Sequence, residues 1–233
     1  SSNSSNLAWG GIKYLESHDY LLVNKLCKSR NRLMKAFPST VHEIRFLATV
    51  RRGFRYPAFF VYRGSLLYWL MGRFRTKPPK WLSSVEIKQR ERVINTTESV
   101  GGVEYSDCYL HDNDARFVFN FVRDALNYGC IAVNYVESVG SSHEHGQWRT
   151  LVEDKLSSER FEISSKVLIN ACGPWADEHN QLTGQVTEHR HQFSKGIHLI
   201  VKSITDSDRV LSFFASDGRM FFVIPMGPRS CIG

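Results

Sequence analysis

The stretch VLINACGPWADEH, residues 167–179, has the makings of a ligand contact. A short apolar run breaks at Gly173-Pro174 and enters a helix at Trp175. A strand that ends in a small-residue turn before a helix offers backbone N–H groups to an anionic ligand. Charge supplies a second lead. Arg45, Arg51, Arg52, Arg55, Arg63, Arg73, Arg75, Lys77 and Lys80 fall in one stretch with only Glu43 against them, in a chain of net charge +7. Such a patch attracts phosphorylated metabolites, lipid head groups or nucleic acid, and it serves equally well as a solubilising face. The five cysteines, Cys27, Cys108, Cys130, Cys172 and Cys231, are odd in number and none are spaced as CxxC. That argues against a disulfide framework and a structural zinc site. It suits a reducing compartment, with most of the thiols acting as small buried side chains.

These groups need a scaffold, and the composition allows one. With 42% hydrophobic and 23% charged residues over 233 positions, the chain reads as globular: one large domain or two small ones. Residues 19–37 predict a helix, with Leu22, Leu26, Leu33 and Phe37 near helical spacing, Asp19 as its cap and Pro38 as its stop. Residues 44–50 predict a strand. Residues 59–74 predict a helix broken at or near Gly64, followed by a loop at Pro78-Pro79. A helix is expected from Asp114 to about Tyr128, ended by Gly129. A strand over 130–139 would complete a helix-to-strand unit of a doubly wound fold. Gln147–Lys155 and Arg160–Ser164 suggest a hairpin. Residues 167–172, 196–202 and 220–226 complete the expected strands.

Residues 1–16 lack the apolar core of a signal peptide. The most apolar stretch, 57–71, carries Arg63 and Gly64 at its centre and is too short and interrupted to span a bilayer. Its basic flanks and aromatics fit a surface resting on a membrane, and they fit a core helix with charged ends as well.

Five segments, taken in order, resemble one family. LAWGGIKYLE (7–16), GGVEYSDCYLHDNDAR (101–116), LINACGPWADE (168–178), SKGIHLIV (194–201) and DGRMFFVIPMGPRSCIG (217–233) are similar to the FAD-dependent glycerol-3-phosphate dehydrogenases of the D-amino-acid-oxidase-like flavoenzyme superfamily. The resemblance implies a mixed α/β and α+β architecture: part of a doubly wound FAD-binding domain plus an antiparallel substrate-binding sheet. The first would comprise 1–37, 105–139 and 165–182, and the second 38–104, 140–164 and 183–233. It further implies oxidation of sn-glycerol 3-phosphate to dihydroxyacetone phosphate, with electrons passed from FAD to quinone or the respiratory chain. The place expected is cytoplasmic, with room for peripheral contact at the inner face of the cytoplasmic membrane. No GxGxxG turn is found in the chain, so it resembles a central portion of such a protein. Taken alone, it is expected to lack activity and not to retain FAD.

Carried over residue by residue, the resemblance places Ser4, Ser5, Asn6 and Leu7 at the FAD phosphates and ribityl. Gly10 and Gly11 would lie close to the flavin ring, with Ala171 and Gly173 approaching from the other side. Lys13, Tyr14, Lys195 and Arg219 would face substrate, the guanidinium being suited to bidentate phosphate contact. Arg219, Tyr14 and His198 are the candidate catalytic groups. A histidine there could take the alcohol proton, although a lone strand histidine also serves as a structural hydrogen-bond partner. No metal ligand set and no nucleic-acid motif are expected. The chain departs from the family pattern at Asn6, Trp9, Lys13, Cys172 and Met226. Lys13 keeps charge without the fork of arginine. Two rival readings follow: an oxidase of 2-hydroxy acids or amino acids, with one carboxylate-binding arginine, and a non-enzymatic basic membrane-surface module built on 45–80.

Overall fold

The computed structural model describes residues 4–194, 196–215 and 219–233. Two compact units emerge, residues 1–121 with 196–233, and residues 122–195.

The first unit is built on a mixed eight-stranded sheet. Its strands are β1 (Leu7–Ala8), β2 (Val41–Arg51), β3 (Lys80–Leu82), β4 (Ser99–Leu110), β8 (Leu199–Lys202), β9 (Val210–Phe214), β10 (Met220–Met226) and β11 (Arg229–Ile232). The order is β1-β4-β2-β9-β10-β11-β8, with β3 also paired to β4. All pairings are antiparallel except β2 with β9. One face carries Ile44, Phe46, Ala48, Val103 and Tyr105, which pack with Val23 and Cys27 of α1 (Tyr20–Ala36) and Tyr68 of α2 (Ala58–Met71). The other face carries Leu47, Leu211 and Val223, covered by Ile87 of α3 (Ser84–Arg90) and by Ile94.

The helices follow local chemistry. Asp19 caps α1, its Oδ1 accepting from the Leu22 amide at 3.1 Å. Ser83 and Glu86 form a reciprocal capping box on α3. α2 runs unbroken through Gly64, against expectation. Glycine costs a helix interior only about 1 kcal/mol relative to alanine, which the other residues of this 14-residue helix absorb.

The covered face beyond Leu47 also holds a chain of charges. Arg209 donates to Glu91 at 3.1 Å and to Glu104 at 2.9 Å, and Arg45 donates to Glu104 at 2.9 Å. Burial by itself would raise the Glu104 carboxyl, but the hydrogen bonds and charges of Arg45 and Arg209 outweigh it and hold the group below its ordinary range. Arg45 therefore leaves the basic patch as an internal partner.

In the second unit, β5 (Val136–Glu144), β6 (Gln147–Asp154) and β7 (Arg160–Ser165) form an antiparallel sheet, which includes the expected hairpin. The helix predicted from Asp114 is α4 (Asp114–Asn127), and Gly129 follows at φ +82°. The strands expected at 130–135 and 167–172 do not form, and strand structure begins only at Val136. A strand needs a ladder partner for its backbone groups, and neither segment has one among the described residues. Ile131, Val133, Val167 and Ile169 are accordingly exposed. The helix entry at the glycine-proline turn does form. A single 3-10 turn, Gly173–Trp175, leads into α5 (Ala176–Leu182), where His179 is buried and lies 3.2 Å from the Ser138 hydroxyl. The strand expected from 196 begins at Leu199.

Candidate active site

Residues 4–11 enter the first unit as a tightly held turn. Asn6 sits at φ 58° and is 3% exposed. Its amide N–H donates to Ser4 Oγ at 3.0 Å, its carbonyl accepts from Leu110 at 2.7 Å, and its side-chain Oδ1 accepts from the Asp114 amide at 3.1 Å. Asn6 thus fastens the turn to the start of α4. Leu7 pairs with Tyr109 in the short β1–β4 ladder.

Behind the following glycines lies a buried polar knot. Asp107 Oδ1 accepts from the Gly10 amide at 3.0 Å and from Arg30 Nη1 at 3.1 Å. Its Oδ2 accepts from the Tyr68 hydroxyl at 2.7 Å, and Arg30 Nη1 also donates to that hydroxyl at 3.1 Å. The side chains of Arg30 and Asp107 are 1% and 0% exposed. Burial pushes the Asp107 carboxyl above the ordinary carboxylate range, and Arg30, the Tyr68 hydroxyl and the Gly10 amide pull against it. Burial likewise pushes the neighbouring Cys27 thiol up to about 11, so it is a packed thiol and not a nucleophile at neutral pH.

The knot explains both glycines. A Cβ on Gly10 would lie 2.1 Å from the Tyr68 hydroxyl oxygen. Gly11 has φ +81° and would meet Leu26 Cδ1 at 2.6 Å. The next turn of chain, Ile12–Leu15, is a 3-10 helix that takes its direction from this anchored corner. Lys13 and Tyr14 are both exposed on it, and the Tyr14 ring lies 6.0 Å from that of Trp9.

Lys13 lines a cleft of about 340 Å³ between this turn, α2 and the open part of the sheet face. Aromatic and aliphatic residues together make up most of its walls, among them Phe54, Tyr56, Phe60, Tyr105 and Phe214, and Lys13, Glu16, His18 and Arg63 supply charge and polarity. Met220 at the start of β10 borders the same cleft, which brings its exposed neighbour Arg219 to this end of the sheet. The Arg219 carbonyl accepts from Ala215 at 2.8 Å across the β9–β10 hairpin.

The other expected residues are placed apart. Tyr14 and His198 are not in the cleft lining. His198 is exposed just before β8 and sits against Gly233. Lys195 lies outside the described residues. Ala171 and Gly173 belong to the second unit, exposed at the turn before α5, with Gly173 at φ +56°. Reading the sequence missed Asp107, Arg30 and Tyr68. Their signal is distributed: the partners are 77 and 39 residues from Asp107.

The donor set around Ser4 suits the phosphate oxygens of a dinucleotide cofactor. Ser4 Oγ already accepts from Asn6, which leaves its hydroxyl hydrogen for an outside acceptor, and Ser5 is only partly buried beside it.

Comparison with known proteins adds to this geometry. The family model described as DAO, FAD dependent oxidoreductase, matches residues 1–233. The chain is 27% identical over 236 residues to an aerobic glycerol-3-phosphate dehydrogenase of Bacillus subtilis, covering 100% of this chain and 42% of that protein. It is 30% identical over 243 residues to an alpha-glycerophosphate oxidase of Enterococcus casseliflavus, covering 100% of this chain and 40% of the relative. The chain therefore spans about two fifths of these relatives. A solved structure of glycerol-3-phosphate dehydrogenase from Bacillus halodurans, complexed with FAD, superposes with a TM-score of 0.68 at 20% identity over 99% of this chain and 38% of that one. This last likeness concerns the fold.

Proposed function

The chain belongs to the FAD-dependent oxidoreductase family, and from that premise we propose that it is the central part of a flavoenzyme oxidising glycerol 3-phosphate. The observation that carries the substrate is the pairing of similarity, over the whole of this chain and about two fifths of theirs, to glycerophosphate dehydrogenases and oxidases with a cation, Lys13, at an apolar cleft beside the Gly10–Gly11 corner.

Ser4, Ser5 and the turn up to Gly11 would hold FAD. A bound flavin supplies a two-electron acceptor for the carbinol carbon. The rest is positioning by this chain. Lys13 and Arg219 neutralise and orient the phosphate. Each such charge pair is worth about 4 kcal/mol at roughly 4 Å and an effective dielectric near 20, before desolvation is subtracted. The aromatic walls exclude water from the reacting end.

A quinone is our proposed electron acceptor, with peripheral membrane contact. α2 supports this: Phe59, Phe60 and Leu70 are exposed, and the Arg63 guanidinium lies 4.6 Å from the Phe59 ring centre. A cationic, aromatic face of this kind suits a bilayer interface. Among the described residues, no helix is long and apolar enough to cross a membrane.

The substrate reading is tested by kcat/KM for glycerol 3-phosphate and for unphosphorylated glycerol in the protein expressed from its complete reading frame. Arg219→Met should lower the first about 10- to 100-fold, as expected for a lost charged hydrogen bond, and leave the second nearly unchanged. Equal losses for both compounds would remove Arg219 from phosphate recognition.

A further inference from the structure

A second cleft opens at the end of β2, walled off from the first by the Phe54–Phe214 ring pair, whose centroids are 4.3 Å apart. It encloses about 470 Å³ and is lined by Arg51, Arg52 and Arg55, with Phe213, Phe214 and Ile94 as apolar walls. No acidic side chain lines it among the described residues. Arg55 is answered by Glu16 at 2.6 Å. Arg51 and Arg52 are exposed, and among the described residues their guanidinium groups have no hydrogen bond or ion pair. The cleft also holds two leftover polar groups. Asn95 Oδ1 accepts from the Thr97 amide and hydroxyl, which leaves the Asn95 NH₂ to donate elsewhere. Thr49 is 6% exposed, and its hydroxyl has no hydrogen-bond partner among the described residues. Thr49 borders the cleft, and a small rotation of its side chain would offer that hydroxyl to a group seated there.

We propose that this cleft is a binding site for a phosphomonoester carrying an apolar or aromatic group, held by Arg51 and Arg52 with Asn95 and Thr49 as neutral donors. Two guanidinium groups lining one cleft supply the charge that a phosphate dianion calls for, more than a carboxylate monoanion needs. The aromatic walls accept the organic part. The turn at Gly53, with φ +74° and no atom within 4 Å of where a Cβ would stand, keeps the rim open for it. The same chemistry is presented by a soluble organic phosphate and by the head group of phosphatidic acid. It lies apart from Lys13, so the site stands whether or not the chain acts on glycerol 3-phosphate.

The test is direct binding to this chain at physiological salt, by calorimetry with phenyl phosphate and inorganic phosphate and by co-sedimentation with vesicles containing phosphatidic acid. Phenyl phosphate should bind more tightly than inorganic phosphate. Arg51→Met with Arg52→Met should weaken binding at least tenfold. The charge-matched control, Arg73→Met with Arg75→Met, removes two exposed cations of the same basic stretch outside the cleft, and it should change affinity less than twofold. Thr49→Val should cost several-fold and Thr49→Ser should restore it. Capture of vesicles with no binding of soluble esters supports the site and assigns its ligand to the bilayer. Equal weakening in the two double variants would overturn the proposal, because the patch would then be acting only as diffuse charge. Unchanged affinity in Thr49→Val would remove the hydroxyl from the site.

Discussion

Around Asp107, both carboxylate oxygens are taken: Arg30, the Tyr68 hydroxyl and the Gly10 amide converge on them, out of reach of water. At the end of β2, Arg51, Arg52 and the Thr49 hydroxyl beside the second cleft have no such partners among the described residues. Both regions are rich in polar atoms. Where polar groups answer one another, they build architecture, and here that architecture is the corner on which Lys13 and Tyr14 stand. Where they are left over, they ask for a ligand. The difference cannot be read from residue type, since an arginine is central to each.

The largest break in this contrast should come from Asp107→Ala. It leaves Arg30 buried without its counter-charge, and removing one partner of a buried pair typically costs about 3–5 kcal/mol. Urea unfolding should register that loss, whereas a cost under about 1 kcal/mol would mean that the knot does not hold the corner. Gly10→Ala should follow at about 1–3 kcal/mol, the usual range for overpacking, because the new methyl must displace the Tyr68 hydroxyl. A drop in the affinity of the complete protein for FAD should accompany it if the corner positions the cofactor segment. The Arg51→Met/Arg52→Met pair should do the reverse, changing ligand binding and leaving the unfolding midpoint within experimental error.

The smallest effect concerns pH. Glu104 is held below its ordinary value of 4.5 in the folded chain by Arg45 and Arg209. Its contribution to stability is therefore present above about pH 4.5 and is lost as pH falls through the lower folded value. Glu104→Gln should flatten the acid limb of the stability profile below pH 4.5. An unchanged acid limb would show that other carboxylates carry it.

Much of the local structure was legible in the chain itself. Asp19 and Pro38 bracket α1, the hairpin of β6 and β7 alternates, and Gly129 follows α4. Strand β4 was not legible. Residues 101–108 are buried on both faces, so no alternation is left to see, and Glu104, Ser106 and Asp107 make the run look like a loop. Their partners lie far along the chain: Arg30 at a separation of 77 residues and Arg209 at 105. The strands expected at 130–135 and 167–172 failed for the opposite reason. Their apolar composition favours a strand, but a strand is a property of a pair, and no partner is placed beside them among the described residues. At the candidate site, the resemblance supplied Gly10, Gly11 and Lys13 as expectations, while the packing that makes both glycines necessary came only from the folded contacts.

The central claim is a flavin-dependent oxidation of glycerol 3-phosphate, and its most direct test is flavin absorbance under anaerobic conditions. The complete protein, loaded with FAD, would be mixed in turn with glycerol 3-phosphate, glycerol, and a panel of 2-hydroxy acids and amino acids. Bleaching by glycerol 3-phosphate alone is the result expected here, despite Asn6, Trp9 and Lys13 standing where the family usually differs. Bleaching only by an unphosphorylated acid would contradict it, and would place the chain among the family's oxidases of hydroxy or amino acids.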